Sequence, residues 1–391
     1  MEKSNIVRLT LWHEFDGPGD TSVETLEEIC RRFAQRENIQ IALETMSLRE
    51  LSERLKRTAQ TGAAPDMALV PADMAAFAEA ALLSEAPFAD FEREIGTDIL
   101  EAMAVGRKVY GVPVLTGNHL VMYVNKSVLA EAPASWDELE RSAPVLAGQG
   151  IAPLGGDLAQ SYWFMPFYMA FGGKLPGNGD DREAAMRQAL DFVREKLARG
   201  TLVSLDGSTA LLERFAAGKL AAMIGGEWVY NHLDRLLGDR LQVAALPAIE
   251  GMPAPALRSS IGLVYPNDSL HSPRRQAILA FTRYMLSEDI QLLWAEAAQR
   301  IPAGQAARKR LAAQSDPNRA AILGLLDGAV AVPNDPAMIG FWSAVERRLA
   351  VLRDEPAQAL ASAAQEQPDS CITEEKHRDP DTFIFNREAF E

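Results

Sequence analysis

The stretch Arg214–Tyr230, RFAAGKLAAMIGGEWVY, decides how the rest of the chain is read. It predicts a helix end, a Gly218-Lys219 turn, a short apolar strand, and a Gly225-Gly226 turn that carries Glu227 and Trp228. Paired glycines let a backbone turn where a side chain would clash. Such a turn leaves Trp228 at the mouth of a strand, where open α/β sheets place ligands. Taken alone, Trp228 reads equally as a packing residue. Other aromatic residues that follow loops of the same kind tip the reading toward a ligand.

Working outward toward the N-terminus, Ile6–Trp12 has a strand pattern, followed by the loop His13–Asp20. Val23, Leu26, Ile29, Cys30 and Phe33 recur at helical spacing, and Ile39, Ile41 and Leu43 alternate as a strand. Leu51 and Leu55 mark a helix that Gly62 ends. Met67–Val70 is a continuous apolar strand, and Pro71–Asp73 opens an alanine-rich helix. Strand and helix alternate, which predicts a parallel α/β sheet. Tyr110–Leu115 is a strand whose Pro113 argues for an edge or a crossing segment. A polar turn, Thr116–His119, separates it from the strand Leu120–Val124, and Ser135 caps a helix starting at Trp136. Gly150–Lys174 is aromatic-rich and reads as a buried helix. Toward the C-terminus, Leu241–Leu246 and Ser259–Tyr265 are strands, and helices follow to Ala364. From Gln365 the chain is polar, with an apolar knot at Phe383-Ile384-Phe385. It reads as a poorly ordered tail or as a segment that docks on its own protein or a partner.

At 391 residues the chain is longer than one core usually serves, so two domains are expected. A net charge of -15 repels nucleic acid and anionic lipid. The two cysteines, Cys30 and Cys371, fall on a helix face and in the polar tail, which argues against a disulfide. No apolar run reaches membrane-spanning length. The start, MEKSNIVRLTLW, has no secretory leader pattern. The expectation is a periplasmic or extracytoplasmic lipid-anchored protein with its leader removed from this chain, or a cytoplasmic protein if Met1 is the native start.

A scan for catalytic motifs returns no nucleophile elbow, zincin helix, phosphate loop or dinucleotide fingerprint, and no His or Cys pair has metal-ligand spacing. No catalytic residue, metal or cofactor is expected. What recurs is a strand end followed by a small turn with polar and aromatic residues. Trp12, His13, Glu14 and Asp16 fit it, as do Asp73, then Thr116, Asn118 and His119, then Tyr162 and Trp163, Glu227 and Trp228, and Trp342 beside Phe341. Sugars are held in this way, their apolar faces on aromatic rings and their hydroxyls on carboxylates and amides. Each residue singly also reads as packing. Glu14, Asp73 or Glu227 could instead serve a glycan-active enzyme as acid or base. A third reading is a cytoplasmic sensor or interaction module, motivated by the start and the tail.

Five segments carry a resemblance: GAAPDMALV with Asp73 and ALLSE; GRKVYGVPVLTGNHLVMYVNKSVL with ASWDEL; FAAGKLAAMIGGEWVY; IGLVYPN; and IGFWSAV. In this order the chain resembles the bacterial extracellular solute-binding family of ABC importers, the group that includes maltose-binding protein, from about Ile6 to Ala364. The resemblance implies a periplasmic-binding-protein-like α/β fold. It consists of two lobes, each a central β-sheet flanked by helices, joined by a multi-segment hinge and closing on a solute. It implies a carbohydrate ligand, an oligosaccharide in particular, a monomer, membrane ABC importer permease subunits as partners, and no nucleic acid. The family's ligand positions fall on His13, Glu14, Asp16, Asp73, Tyr162, Trp228 and Trp342. The chain departs from the family at Val70, at Met74 and by one extra residue in the turn Thr116–His119, which argues against maltose itself. Pro113, Ser259–Tyr265 and a segment near Ala303–Asp316 then serve as crossings. The expected lobes are 1–112 plus 266–312 and 113–265 plus 313–365, with 366–391 as a tail.

Overall fold

The computed structural model of the protein describes residues 6–15, 22–176, 182–205, 207–314, 316–335 and 337–354. Asp16 and the tail 366–391 lie outside them. The chain divides into two units, Met1–Asn118 with Ser259–Ser315, and His119–Arg258 with Asp316–Glu391. Both are sheets flanked by helices, the mixed α/β architecture that the alternation of apolar strands and amphipathic helices dictates.

In the first unit, β1 (Val7–His13), β2 (Ile39–Thr45), β3 (Met67–Pro71), β6 (Gly111–Gly117), β12 (Leu257–Val264) and β13 (Ile301–Pro302) run in the order β13-β6-β12-β3-β1-β2. A separate ribbon pairs β4 (Ala104–Val105) with β5 (Lys108–Val109). β1 is parallel to β2 and β3, and β12 is antiparallel to both β3 and β6. The C-terminal ends of β1, β2, β3 and β6 therefore share one edge of the sheet. The helix Ser22–Glu37 buries Leu26, Ile29 and Phe33, three to four residues apart, in a core with Leu9, Leu11, Leu69, Phe281 and Trp294.

Two local expectations are corrected here. Of the two alternatives for β6, an edge or a crossing segment, the edge is excluded, because β13 lies beside it. Its proline is tolerated because β13 pairs only with Leu115 and Thr116, and because the β12 ladder slips between Ile261 and Gly262, opposite Pro113. The alanine-rich segment after Pro71 forms a 3-10 turn, Ala72–Phe77, instead of an α-helix.

In the second unit, β7 (Leu120–Asn125), β8 (Ala152–Gly156), β9 (Leu202–Ser204), β10 (Leu220–Gly226) and β11 (Leu241–Ala244) run in the order β11-β7-β10-β8-β9. β10 is parallel to β8, β8 is parallel to β9, and β7 is antiparallel to β10 and β11. β14 (Val330–Ala331) pairs in parallel with Leu257 and Arg258. Ser135 caps the helix Trp136–Gly148, its Oγ accepting from Glu138 N at 3.3 Å. The Glu138 carboxylate reaches back to accept from Ala134 N at 2.7 Å, so backbone donors at both sides of the cap are satisfied.

β11 is an edge strand, and its exposed pairing groups would invite association. Asn318, in the first turn of helix Pro317–Asp327, answers this as a side chain acting like a peptide group. Its Oδ1 accepts from Val243 N at 2.9 Å and its Nδ2 donates to Leu241 O at 3.2 Å. The same helix start is fixed by Asp316, which caps Asn318 N and Arg319 N and accepts from Tyr230 Oη at 3.0 Å.

The aromatic stretch is the helix Ser161–Ala170, buried at every residue except the half-buried Met169. The Gly225-Gly226 pair differs from expectation. β10 runs through both glycines, and Gly226 is extended, with φ -74 and ψ 151. The turn comes one residue later, as the 3-10 segment Glu227–Val229. Close approach and not conformation is the feature here: a Cβ on Gly225 would lie 3.1 Å from the Tyr123 ring, and one on Gly226 2.2 Å from the Trp228 ring.

Candidate functional site

The candidate residues sort into two groups, one in each unit. In the second unit, β8 and β10 are parallel neighbours with Met223 opposite Gly155, so their C-terminal ends lie side by side. That is where open α/β sheets carry ligands. After β8 come Asp157 and then Tyr162 and Trp163 at the start of the buried helix; after β10 come Glu227 and Trp228. β7 begins at the same edge, since Leu120 pairs with Gly226, and Glu227 N donates to His119 O at 3.0 Å. Helix Ala337–Asp354 adds Phe341 and Trp342.

These side chains form one aromatic cluster. The rings of Trp163 and Trp228 are 6.1 Å apart at 86°, those of Tyr162 and Trp163 6.2 Å apart at 69°, and those of Tyr162 and Trp342 6.5 Å apart at 44°. The first two are edge-to-face contacts, which add about 0.5–1.5 kcal/mol each beyond burial. Tyr162, Trp163 and Trp342 are buried and Trp228 is half-buried. Two polar handles are engaged internally. Tyr162 Oη donates to Leu257 O at 3.0 Å, and Trp163 Nε1 donates to Ile224 O at 3.1 Å. The indole N–H of Trp163 holds its ring to β10.

His119 is fully buried, with Nε2 3.0 Å from Ile322 O. A carbonyl only accepts, so a proton sits on Nε2, while Nδ1, buried with no hydrogen-bond partner among the described residues, stays unprotonated and the imidazole neutral. Burial pushes its pKa down to about 4, partly offset by the bond to Ile322 O. Tyr123 Oη donates to Gly226 O at 2.8 Å, and burial raises that phenol well above its ordinary range. Glu227 is 1% exposed. Asp157, equally buried, accepts from Gln160 Nε2 at 2.7 Å. Sequence reading missed Asp157; a carboxylate directly after the strand that ends in Gly155-Gly156 was the available signal.

In the first unit, Trp12, His13 and Glu14 follow along and past the end of β1, Asp73 follows β3, and Thr116 and Asn118 end and follow β6. All six therefore lie at the shared C-terminal edge of that sheet. His13 Nδ1 accepts from Phe15 N at 3.3 Å, so its proton is on Nε2, which donates to Thr45 Oγ1 at 3.1 Å. This fixes the course of the loop that carries Glu14, which is buried. The Trp12 ring has the Arg54 guanidinium 5.4 Å from its centroid, and Arg54 is also paired to Glu44 and Glu50. Asp73 is half-buried in the 3-10 turn. Thr116 Oγ1 accepts from Ser260 Oγ at 3.5 Å, and Gly117 and Asn118, with φ 107 and φ 50, make the left-handed turn into β7. The other two tryptophans, Trp136 and Trp294, are core residues, 3% and 0% exposed.

Among the described residues no group of three or more His, Cys, Asp or Glu is placed to hold a metal ion, and no helix is long and apolar enough to cross a membrane. Cys30 is buried, and that burial pushes its thiol up to about 12, which leaves it unreactive.

Comparison with known proteins identifies the family. A family model described as bacterial extracellular solute-binding protein matches residues 28–321. The maltodextrin-binding protein MdxE of Bacillus subtilis (strain 168) is 22% identical over 354 residues, covering 84% of this chain and 82% of its own length. A maltooligosaccharide ABC transporter solute-binding lipoprotein of Streptococcus pneumoniae serotype 4 is 22% identical over 347 residues, covering 83% and 80%. A galactooligosaccharide-binding protein of Bacillus subtilis (strain 168) is 21% identical over 364 residues, covering 87% and 85%.

Proposed function

The chain belongs to the bacterial extracellular solute-binding protein family, and from that premise we propose that it captures an oligosaccharide and delivers it to a membrane ABC importer. It is a binding protein and not an enzyme, as the family and the relatives are. Each unit serves as one lobe of the fold, with its own candidate residues at the edge of its own sheet. The observation that carries the reading is the cluster Tyr162, Trp163, Trp228 and Trp342 at the β8–β10 edge, with the buried carboxylates of Asp157 and Glu227 at the same strand ends. Flat rings suit the apolar faces of pyranoses, and carboxylates accept from hydroxyls. The ligands named for the relatives, maltodextrins, maltooligosaccharides and galactooligosaccharides, support an oligosaccharide as the class. The protein acts as a monomer on the extracytoplasmic side of the membrane, where such an importer receives its solute, and nucleic acid is not among its partners.

A thermal-shift screen across malto- and galactooligosaccharides and polyols tests this. A ligand that binds only the folded state raises stability by about 2.7 kcal/mol at a hundredfold excess over Kd, so a saturable rise in melting temperature is expected with at least one oligosaccharide. A flat response to every glycan and polyol would defeat the proposal.

A further inference from the structure

The turn that carries Trp228 holds its ring more firmly than its half-exposed position suggests. Gly226 precedes it in extended conformation, φ -74 and ψ 151, which any residue adopts. Yet a Cβ at 226 would lie 2.2 Å from Trp228 Cζ2 and 2.3 Å from both Cε2 and Cη2. The indole therefore lies directly on the backbone at Gly226, in the volume a side chain there would fill. A second constraint is Trp163, whose ring stands at 86° to the Trp228 ring, 6.1 Å away. Trp163 cannot follow Trp228 if it moves, because its own Nε1 is bonded to Ile224 O two residues upstream of Gly226 on the same strand. Tyr123 holds the Gly226 carbonyl from β7 at 2.8 Å, which keeps the platform itself in place.

The geometry points to a preset seat: Gly226 below and Trp163 at the edge fix the plane of Trp228, so that Trp163 acts as a positioning residue for a ring that meets ligand. This rests on the proposed capture of an oligosaccharide for its purpose, but the seat itself is a property of the protein alone. A ring held in place before binding loses little rotational freedom when a sugar face arrives. Glycine at 226 is then a requirement of the neighbouring indole, with no demand from the chain direction.

The test uses the full chain with 5-fluorotryptophan in place of tryptophan, the Trp228 resonance being assigned by Trp228→Phe. The native protein is expected to show one sharp Trp228 signal. In Trp163→Phe, which loses both the indole edge and the bond to Ile224 O, that signal should double or broaden, since a mere change of ring current would only move it. In Gly226→Ala a crystal structure should show the indole lifted from its plane. Gly324→Ala, at a position with nothing within 4 Å of an added Cβ, is the control and should leave Trp228 unchanged. Maltotriose affinity, by calorimetry, should fall about 10-fold in both seat variants, as expected when one stacking contact is lost. A single sharp Trp228 signal in Trp163→Phe, or an unmoved indole in Gly226→Ala, would overturn the seat whatever the sugar result. A native protein that binds no maltooligosaccharide, with both ring effects present, would leave the seat standing and count against the capture reading alone.

Discussion

His119 gives the most quantitative prediction. Its ring is fully buried, Nε2–H is committed to Ile322 O, and Nδ1 has no hydrogen-bond partner among the described residues. Charging the ring would add a proton at Nδ1 with nothing to accept it, which is why burial pushes the pKa from 6.5 to about 4. Above 6.5 the imidazole is neutral in the folded and unfolded chain alike, and the residue adds nothing to the pH dependence. As the pH falls through 6.5 the unfolded chain takes up the proton first, so the folded state loses stability until about 4, where its own ring charges. The gap between 6.5 and about 4 corresponds to a loss of about 3 kcal/mol. The perturbation is His119→Gln, whose amide still donates to Ile322 O but does not titrate. Urea unfolding of both proteins across this range should show the advantage of the native protein over the variant shrinking by about 3 kcal/mol as the pH drops. Carboxylates titrate in both proteins and cancel in the difference. Carbon-13 resonances of the five histidine rings give the pKa directly. A His119 resonance that titrates near 6.5, or parallel losses of stability in the two proteins, would refute the reasoning.

Three further perturbations follow from single contacts. Asn318→Ala removes both bonds to β11 and should cost about 1–2 kcal/mol in urea unfolding; Asn318→Asp should do no better, because its second oxygen faces Leu241 O. Tyr162→Phe should lower stability by about 1 kcal/mol through the lost bond to Leu257 O, yet keep oligosaccharide affinity within about 2-fold, whereas Tyr162→Ala should lower that affinity about 10-fold. Thr45→Val withdraws the acceptor of His13 Nε2–H and should cost about 1 kcal/mol; nitrogen-15 shifts of His13 should show the Nε2–H form in the native protein, and an Nδ1–H form there would contradict the assigned hydrogen bonds.

Much of the fold was legible because hydrophobic period is a direct consequence of which face is buried. The runs at Met67–Pro71 and Leu220–Gly226 and the spacing Leu26, Ile29, Phe33 leave little choice of element. Signals carried by residue type alone misled. Glycine serves both for left-handed backbone and for close approach, and sequence cannot tell the two apart: Gly117 is the first kind, with φ 107, and Gly226 the second. Alanine-rich sequence after Pro71 has helical propensity, but only a 3-10 turn forms there. Tyr162, Trp163 and Trp228 were legible as residues that follow strand ends, whereas Trp342 lies within helix Ala337–Asp354 and follows no strand directly. The role of Trp163 was not, because its bond to Ile224 O spans 61 positions. Asn318 was invisible for the same reason: its partners on β11 lie 75 and 77 positions away.

Native mass spectrometry of the intact chain with an equimolar mixture of maltooligosaccharides and galactooligosaccharides is the most direct measurement. One sugar per chain, recovered unshortened after prolonged incubation, is the expected result for a capture protein. No adduct with any oligosaccharide, or recovery of shorter products, would contradict it.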